Sequence, residues 1–354
     1  MKPDLNTTEK TDILELTRNQ LVDWLAERDI AAYRADQIQK WIYLRQVDSF
    51  ELMTDISKEI RGLLAQHFVV GRLGVEQIEK SRDGSRKYLF RLNDGRHIES
   101  VLIPERDHDT LCVSSQVGCA QGCLFCMTAA GGFQRNLSRA EIIAQMRDIK
   151  NSMDDPERLS NIVFMGMGEP LANYQNLVSA IGVITDNDAG LRFAGRRVTV
   201  STAGLVPKMA ALGRDTKVNL AVSMNATDNE TRSRLMPINR TYPLETLLEA
   251  CRHYPLQPGR RITFEYILIK GINDSADDAR RLAKLLHPIR CKINLIPFNP
   301  HGGCDFQRPS EVAIQAFYDV LFAKNYTVII RRSKGQDISA ACGQLRARSA
   351  GLEV

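Results

Sequence analysis

The sequence predicts an α/β protein: parallel βα units forming an incomplete barrel or an open sheet, preceded by a helical unit and a β-hairpin. Three observations carry this. Short apolar runs, spaced by roughly 25–40 residues with a helix-like stretch between them, mark parallel crossovers. The stretch from Val69 to Pro104 alternates with period two, and residues 13–68 repeat apolar side chains at i, i+3 and i+4.

The elements follow in order. Thr17 is placed to cap a helix carrying Leu21, Trp24 and Leu25 on one face. Ile38, Trp41 and Ile42 mark a second helix, and Ile60, Leu63 and Leu64 a third that Ser57 can cap. Tyr88, Phe90 and Leu92 alternate with Lys87, Leu89 and Arg91, Asn93-Asp94-Gly95 supplies a turn, and His97 to Ile103 returns as a strand. Strands are then expected at Leu111–Val117, Asn161–Met167, Arg197–Ser201, Val218–Met224, Ile262–Ile269 and Lys292–Phe298. Helices such as Ser138–Ser152, Leu244–His253 and Ala276–Leu286 lie between them. A last strand, Thr327–Arg332, leads into Gly335-Gln336-Asp337 and a short helix-like tail around Cys342. The chain thus divides into a helical domain (1–68), a hairpin linker (69–104), a βα core (105–325) and a C-terminal extension (326–354).

Composition narrows the class. The 354 residues are 44% hydrophobic and 25% charged, which excludes disordered, collagen-like and rod-like chains. No apolar run approaches the roughly 18–20 residues that span a bilayer. The start, Met1-Lys2-Pro3-Asp4-Leu5-Asn6, carries no signal-peptide pattern, so no membrane association and a cytoplasmic location are expected. The net charge of +5 permits an anionic partner without showing one.

Four of the eight cysteines cluster, and Cys119, Cys123 and Cys126 have the spacing C-x3-C-x2-C. Three thiolates on one tight loop converge on a metal but are one ligand short for zinc or a saturated cluster. A 4Fe–4S cluster held by three cysteines leaves one iron open. The competing arrangement is a zinc knuckle with Cys112 or a histidine as fourth ligand; no matching second pair follows downstream. A second motif, Gly166-Met167-Gly168-Glu169-Pro170, follows an apolar strand, where glycines let the backbone approach a ligand and Glu169 can accept from an ammonium.

The cysteine spacing at the end of a first βα strand, with this Gly-Glu-Pro motif, resembles the radical S-adenosylmethionine (SAM) superfamily. The resemblance extends from about Tyr33 to Leu345. Tyr33-Arg34-Ala35-Asp36-Gln37, Leu111 to Cys119, Arg135-Asn136-Leu137, Met236-Pro237-Ile238-Asn239, Asn294 to Pro300 and Ala341-Cys342-Gly343-Gln344-Leu345 are similar to the RlmN family. The fold implied is a partial (β/α)6 TIM-like radical SAM barrel with an N-terminal helical, RNA-binding accessory domain and a β-hairpin linker.

The same resemblance implies the chemistry. Members methylate C2 of an adenosine in 23S rRNA near the peptidyl-transferase centre and, in some cases, the adenosine 3′ of the tRNA anticodon. The related Cfr enzymes methylate C8. Adenine C2 is electron-poor and the SAM methyl group is an electrophile, so a radical route with covalent catalysis replaces polar transfer. In that scheme Cys119, Cys123 and Cys126 hold one 4Fe–4S cluster, and two SAM are used per turnover. Cys342 becomes S-methylcysteine, its radical adds to C2 in a protein–RNA adduct, Glu99 removes the C2 proton, and Cys112 releases the product as a disulfide. Gly168, Glu169, Ser201, Ser223, Met224, Asn225 and Asn299 match SAM-contact positions. The family often has Ser-Leu-His where this chain has Ser223-Met224-Asn225, and Asn can still bond a ribose hydroxyl. Implied partners are 23S rRNA, tRNA, an electron donor such as flavodoxin and a disulfide reductant, with the enzyme a monomer. Candidate phosphate partners are Arg34, Arg82, Arg86, Arg135, Arg331, Arg332 and Lys334. Cys251, Cys291 and Cys304 read as structural. Three rivals remain: a Cfr-like C8 adenosine methyltransferase, a two-cluster enzyme acting on a small molecule, which needs a second cysteine triplet, and a zinc-stabilised RNA-binding module.

Overall fold

A computed structural model describes residues 10–302 and 304–347. The expectation of no leader at Met1–Asn6 and the outer ends of the 1–68 and 326–354 segments lie outside the described residues. The helical unit opens with β1 (Thr11–Asp12) and contains α1 (Arg18–Ala26), α2 (Tyr33–Tyr43) and α3 (Lys58–His67). β2 (Phe68–Val69), parallel to β1, closes it. Thr17 and Gln20 form a capping box on α1, and Ser57 accepts from the Ile60 N–H of α3. These bonds satisfy donors that a helix start leaves open. Leu21, Leu25, Ile38, Ile42 and Leu64 are buried, as the helical spacing requires.

The remaining elements run β3 (Gly74–Lys80), β4 (Arg86–Arg91), β5 (His97–Pro104), β6 (Asp109–Cys112), β7 (Gln116–Gly118), α4 (Met127–Ala130), β8 (Phe133–Asn136), α5 (Arg139–Asn151) and β9 (Leu159–Phe164). They continue as α6 (Tyr174–Thr185), β10 (Val198–Thr202), α7 (Val206–Asp215), β11 (Asn219–Ser223), α8 (Asn229–Leu235), α9 (Leu244–Arg252), β12 (Ile262–Leu268), α10 (Ala276–Leu286), β13 (Cys291–Pro297), α11 (Glu311–Ala323) and β14 (Val328–Ile330). One ten-stranded sheet has the order β14-β13-β12-β11-β10-β9-β6-β5-β4-β3. Its strands are parallel from β6 through β14 and antiparallel from β6 back to β3. This is the expected incomplete barrel rather than a flat sheet with helices segregated elsewhere. No helix among the described residues is long and apolar enough to cross a membrane.

Two local expectations change. The hairpin β4–β5 forms, but β3 joins it and β5 pairs with β6, so the sheet runs unbroken through the expected boundary at 104/105. The single strand expected at Leu111–Val117 divides into β6 and β7. Buried Gln145 explains the break: its side chain takes the Ser114 N–H at 2.8 Å and the Ser114 carbonyl at 3.0 Å. The chain then leaves the ladder, and β7 pairs with β8 in a separate two-stranded sheet.

The two faces of the parallel strands differ. Ile262, Phe264, Tyr266 and Leu268 of β12, Val198 and Val200 of β10, and Ile293 and Leu295 of β13 are fully buried in the hydrophobic core. Their alternate neighbours are Thr263 and Glu265, Thr199 and Ser201, Lys292 and Asn294. Because a strand turns successive side chains to opposite faces, a greasy outer face leaves a polar inner one.

Candidate active site

The cysteine loop sits at the carboxyl ends of the strands, where open α/β sheets place ligands. β7 and β8 carry it, and Cys119 N–H donates to the Gly132 carbonyl at 2.9 Å. Gly118 has φ +75, and a Cβ there would lie 1.8 Å from that same carbonyl oxygen, so only glycine allows the loop to close this tightly. Leu124 N–H bonds the Leu235 carbonyl at 3.0 Å and Met127 N–H the Gly343 carbonyl at 2.8 Å. Phe125 is buried with Leu235, Met236, Ile238, Ile269 and Phe298, anchoring the loop between its second and third cysteines.

A cavity opens beside this loop. Cys119, Cys123, Cys126, Gly168, Glu169, Ser201, Ser223 and Cys342 line it together with Met165, Gly166 and Glu265. Its enclosed interior of about 150 Å³ is smaller than the ~300–1,000 Å³ of ordinary ligand pockets, so a nucleoside-sized ligand would extend through the mouth. Gly166 and Gly168 form one wall, and a Cβ would lie 2.7 Å from the Val113 carbonyl oxygen or 2.5 Å from the Gln116 Cβ. Glu169 is buried and its carboxylate accepts from the N–H groups of Leu171 at 3.1 Å and Ala203 at 2.7 Å. Burial pushes its pKa upward despite those bonds. Burial and mutual repulsion also raise the Cys123 thiol, and burial lifts Cys119 to about 12.

Cys342 lies on a strap that follows β14 and crosses back to the antiparallel strands. Gly335 N–H bonds Asp83 Oδ2 at 2.7 Å, Ser81 Oγ bonds Asp337 Oδ1 at 2.5 Å, and Arg346 N–H bonds Glu99 Oε2 at 2.8 Å. On the barrel side Asn299 Nδ2 reaches the Cys342 carbonyl at 3.4 Å and Gln344 Nε2 the Pro300 carbonyl at 3.0 Å. Cys342 is exposed, and it lines the cavity. The surrounding protein raises its pKa by desolvation, against the lowering pull of Arg331.

The other anticipated residues stand just outside the cavity. Cys112 is buried at the end of β6, with its thiol pushed to about 12 by desolvation and by Cys342. Its further charged neighbours are Arg331 and Glu265 rather than the loop cysteines, so it is not placed as the fourth ligand of a zinc knuckle. Among the described residues no three Cys, His, Asp or Glu side chains are grouped to chelate a single ion. Glu99 is buried against Lys87 Nζ at 3.3 Å and does not line the cavity; burial raises its pKa. Met224 is fully buried, and Asn225 uses its side chain on Ile267 N–H at 2.8 Å and on Met236 Sδ at 3.2 Å. Asn299 ties the strap through Cys342 and through Gln336 at 3.1 Å. These three therefore shape the site instead of presenting side chains to its interior. Of the basic candidates, Arg135 is committed to Asp94 at 2.5 Å and Glu141 at 2.7 Å, and Lys334 pairs with Glu105 at 3.3 Å.

Sequence reasoning missed Glu265. It lines the cavity; one carboxylate oxygen accepts from Ser201 Oγ at 3.4 Å, and the other, without a hydrogen bond, lies 4.0 Å from Arg331. The available signal was a carboxylate in the middle of an apolar strand, Ile262-Thr263-Phe264-Glu265-Tyr266. Arg232 was missed as well. Fully buried, it donates to the carbonyls of Ala203 at 2.8 Å, Met224 at 3.0 Å and Ser223 at 3.2 Å and to Asn239 Oδ1 at 2.9 Å. Arg232→Met should lower stability by about 3–5 kcal/mol, because several buried acceptors lose their donor. A chemical-denaturation midpoint unchanged from wild type would contradict this.

Comparisons with known proteins fit this site. Residues 11–70 match the family described as the ribosomal RNA large subunit methyltransferase N-terminal domain, and residues 113–285 match the radical SAM superfamily. A Desulfosudis oleivorans protein named dual-specificity RNA methyltransferase RlmN is 60% identical, covering 95% of this chain and 91% of its own. A Geobacter sulfurreducens protein of the same name is 54% identical over 95% and 92%. The crystal structure of a radical SAM methyltransferase from Sphaerobacter thermophilus superposes with a TM-score of 0.90 at 43% identity, covering 96% of this chain and 100% of that one. Membership of the superfamily implies a 4Fe–4S cluster and SAM. Three cysteines on one loop, glycine walls and the buried carboxylates of Glu169 and Glu265 lining the same space suit such a pair of groups. The chain belongs to the RlmN family of radical SAM methyltransferases.

Proposed function

We propose that the chain methylates C2 of adenosine in RNA, in 23S rRNA near the peptidyl-transferase centre and in tRNA next to the anticodon. The observation that carries this reading is one shared cavity, lined by the cysteine loop, Cys342, Glu169 and Ser201 together. The dual-specificity name of the relatives supports two RNA substrates. Cys119, Cys123 and Cys126 would hold the cluster, and the Gly168–Glu169 wall, Ser201 and Ser223 would hold SAM. When bound, these groups supply the electron transfer that generates a 5′-deoxyadenosyl radical.

The chain's own residues do the rest. Cys342 accepts the methyl group and carries it to C2, with the strap fixing its sulfur at the cavity wall. Asn299 holds the backbone that positions it. Cys112 resolves the resulting thioether-linked adduct, leaving a Cys112–Cys342 disulfide that needs an external reductant each cycle. A small electron-carrier protein of the flavodoxin kind feeds the cluster, and the chain works as a cytoplasmic monomer.

Glu99 serves as the base for the C2 proton in this reading, its raised pKa bringing it nearer the working pH. Glu99→Gln is expected to slow methylation by ~10²–10⁴-fold while reductive SAM cleavage persists. A wild-type rate in Glu99→Gln together with a loss in Glu265→Gln would transfer the role to Glu265. Mass spectrometry of RNA from a methylation-null strain expressing this chain tests the whole proposal. It should find 2-methyladenosine; 8-methyladenosine or no added methyl group would overturn it.

A further inference from the structure

The barrel lumen is polar where closed barrels are packed with branched apolar side chains. Thr110, Asn161, Thr199, Asn219, Thr263 and Asn294 line a cavity of about 310 Å³ at the amino ends of the strands, opposite the cysteine loop. It is large enough for a small ligand. Met165 borders both this cavity and the one containing Cys342, so the two are neighbours inside the barrel. Cys112 shares the strand face of Thr110 and lies near that junction.

The charge is one-sided. Arg196, Arg197, Lys292 and Arg331 line this lower cavity, and no Asp or Glu does. Arg331 and Lys292 both act on the buried Glu265 carboxylate, whereas among the described residues Arg196 and Arg197 form no ion pair. Arg197 bonds only the neutral Asn161 side chain, at 3.2 Å. Arg197 also borders a second cavity of about 690 Å³ between the helical domain and the barrel, which adds Arg45 and Arg192. Lys150 in that cavity is offset by Glu157 at 3.6 Å. Unpaired cations clustered around an open polar channel are unfavourable to one another unless an anion joins them.

The upper cavity is committed to the cysteine loop and the Gly166–Glu169 wall, and the strap covers its side. The lower channel offers a nucleobase a route toward Cys342 that does not displace what those residues bind. From the level of Lys292 to that of Ile296 the strand rises about 13 Å, a depth that the long cationic side chains at the mouth shorten.

We propose that RNA engages the amino-terminal mouth of the barrel. Arg196, Arg197 and Lys292 hold the phosphates flanking an unstacked nucleoside, whose base runs up the polar lumen to Cys342. The proposal rests on the RNA-methylation reading above and adds the face and the residues that read the backbone. Such contacts carry affinity and salt dependence, not sequence choice.

The test compares the iron–sulfur-loaded wild type with Arg196→Glu/Arg197→Glu, Arg196→Gln/Arg197→Gln and Lys292→Gln. A control, Lys284→Glu/Lys324→Glu, changes as much charge on the outer helices. The probe is an unmethylated adenosine-containing RNA hairpin. Each lost phosphate contact should flatten the slope of log affinity against log salt by about 0.7–0.9, so the double variants should lose about 1.5 and bind at least ~10-fold more weakly at low salt. Reductive SAM cleavage without RNA should stay at the wild-type rate in every variant, and the control should keep the wild-type slope. Wild-type slope and affinity in the glutamine variants, or equal losses in the control, would overturn the proposal. Should the glutamate pair fail to fold, the glutamine variants decide alone. A wild type that neither binds nor methylates RNA would instead remove the underlying RNA reading.

Discussion

Cys342→Ala is expected to abolish methyl transfer to RNA, a loss of more than about 10³-fold or over ~4 kcal/mol of barrier. The reason is specific to the sulfur. Cys342 is the cavity-lining thiol outside the cysteine loop, and the proposed chemistry passes every methyl group through it. The backbone around it is held by other groups: Gly343 adopts φ +84, Ala341 N–H bonds Gln344 Oε1 at 3.3 Å, and Asn299 reaches the 342 carbonyl. Removing one cavity-facing sulfur therefore leaves the strap intact. The protein should still split SAM under reducing, oxygen-free conditions, and denaturing gels should show no protein–RNA adduct. Retained 2-methyladenosine by mass spectrometry would take Cys342 out of the reaction.

Cys112→Ala is expected to do the opposite to the adduct. Transfer from Cys342 proceeds once, the thiol that would break the carbon–sulfur link is missing, and about one RNA stays attached per active protein. Multiple turnover should fall by at least ~10²-fold, because release through that sulfur has no substitute. The wild-type pH dependence follows from the environment of the same sulfur. Burial lifts the Cys112 thiol to about 12, so it is protonated at neutral pH, whereas the thiolate is the nucleophile. Adduct release in wild type should therefore speed up as pH rises from 7 to 9, by up to about tenfold per unit where deprotonation alone limits it. Free RNA and normal turnover in the alanine variant would end the resolving role of Cys112.

Much of this site was legible in the chain. The capping pair Thr17–Gln20 needs only neighbours in sequence, and the three cysteines and the Gly166–Pro170 turn sit within short segments whose geometry local chemistry dictates. β3 was unreadable for a physical reason. Val75, Ile78 and the polar residues between them lie on an edge that buries little, so no periodic burial marks them. Likewise Leu111–Val117 looks like one strand until Gln145, from a helix 30 or so residues away, takes the Ser114 backbone.

The sequence alone determined the kind of chemistry, since the number and spacing of thiolates on one loop set which metal group they can hold. Only the tertiary structure decided what surrounds that chemistry. It brought Cys112 within electrostatic reach of Cys342, set the Glu265 carboxylate between Ser201 and Arg331 in the cavity wall, and lined the lumen with hydroxyls, amides and cations. Each of those depends on which face of a strand turns inward and on contacts between residues far apart in the chain. Such relations follow from sheet closure and side-chain packing, neither of which leaves a local trace in the order of residues.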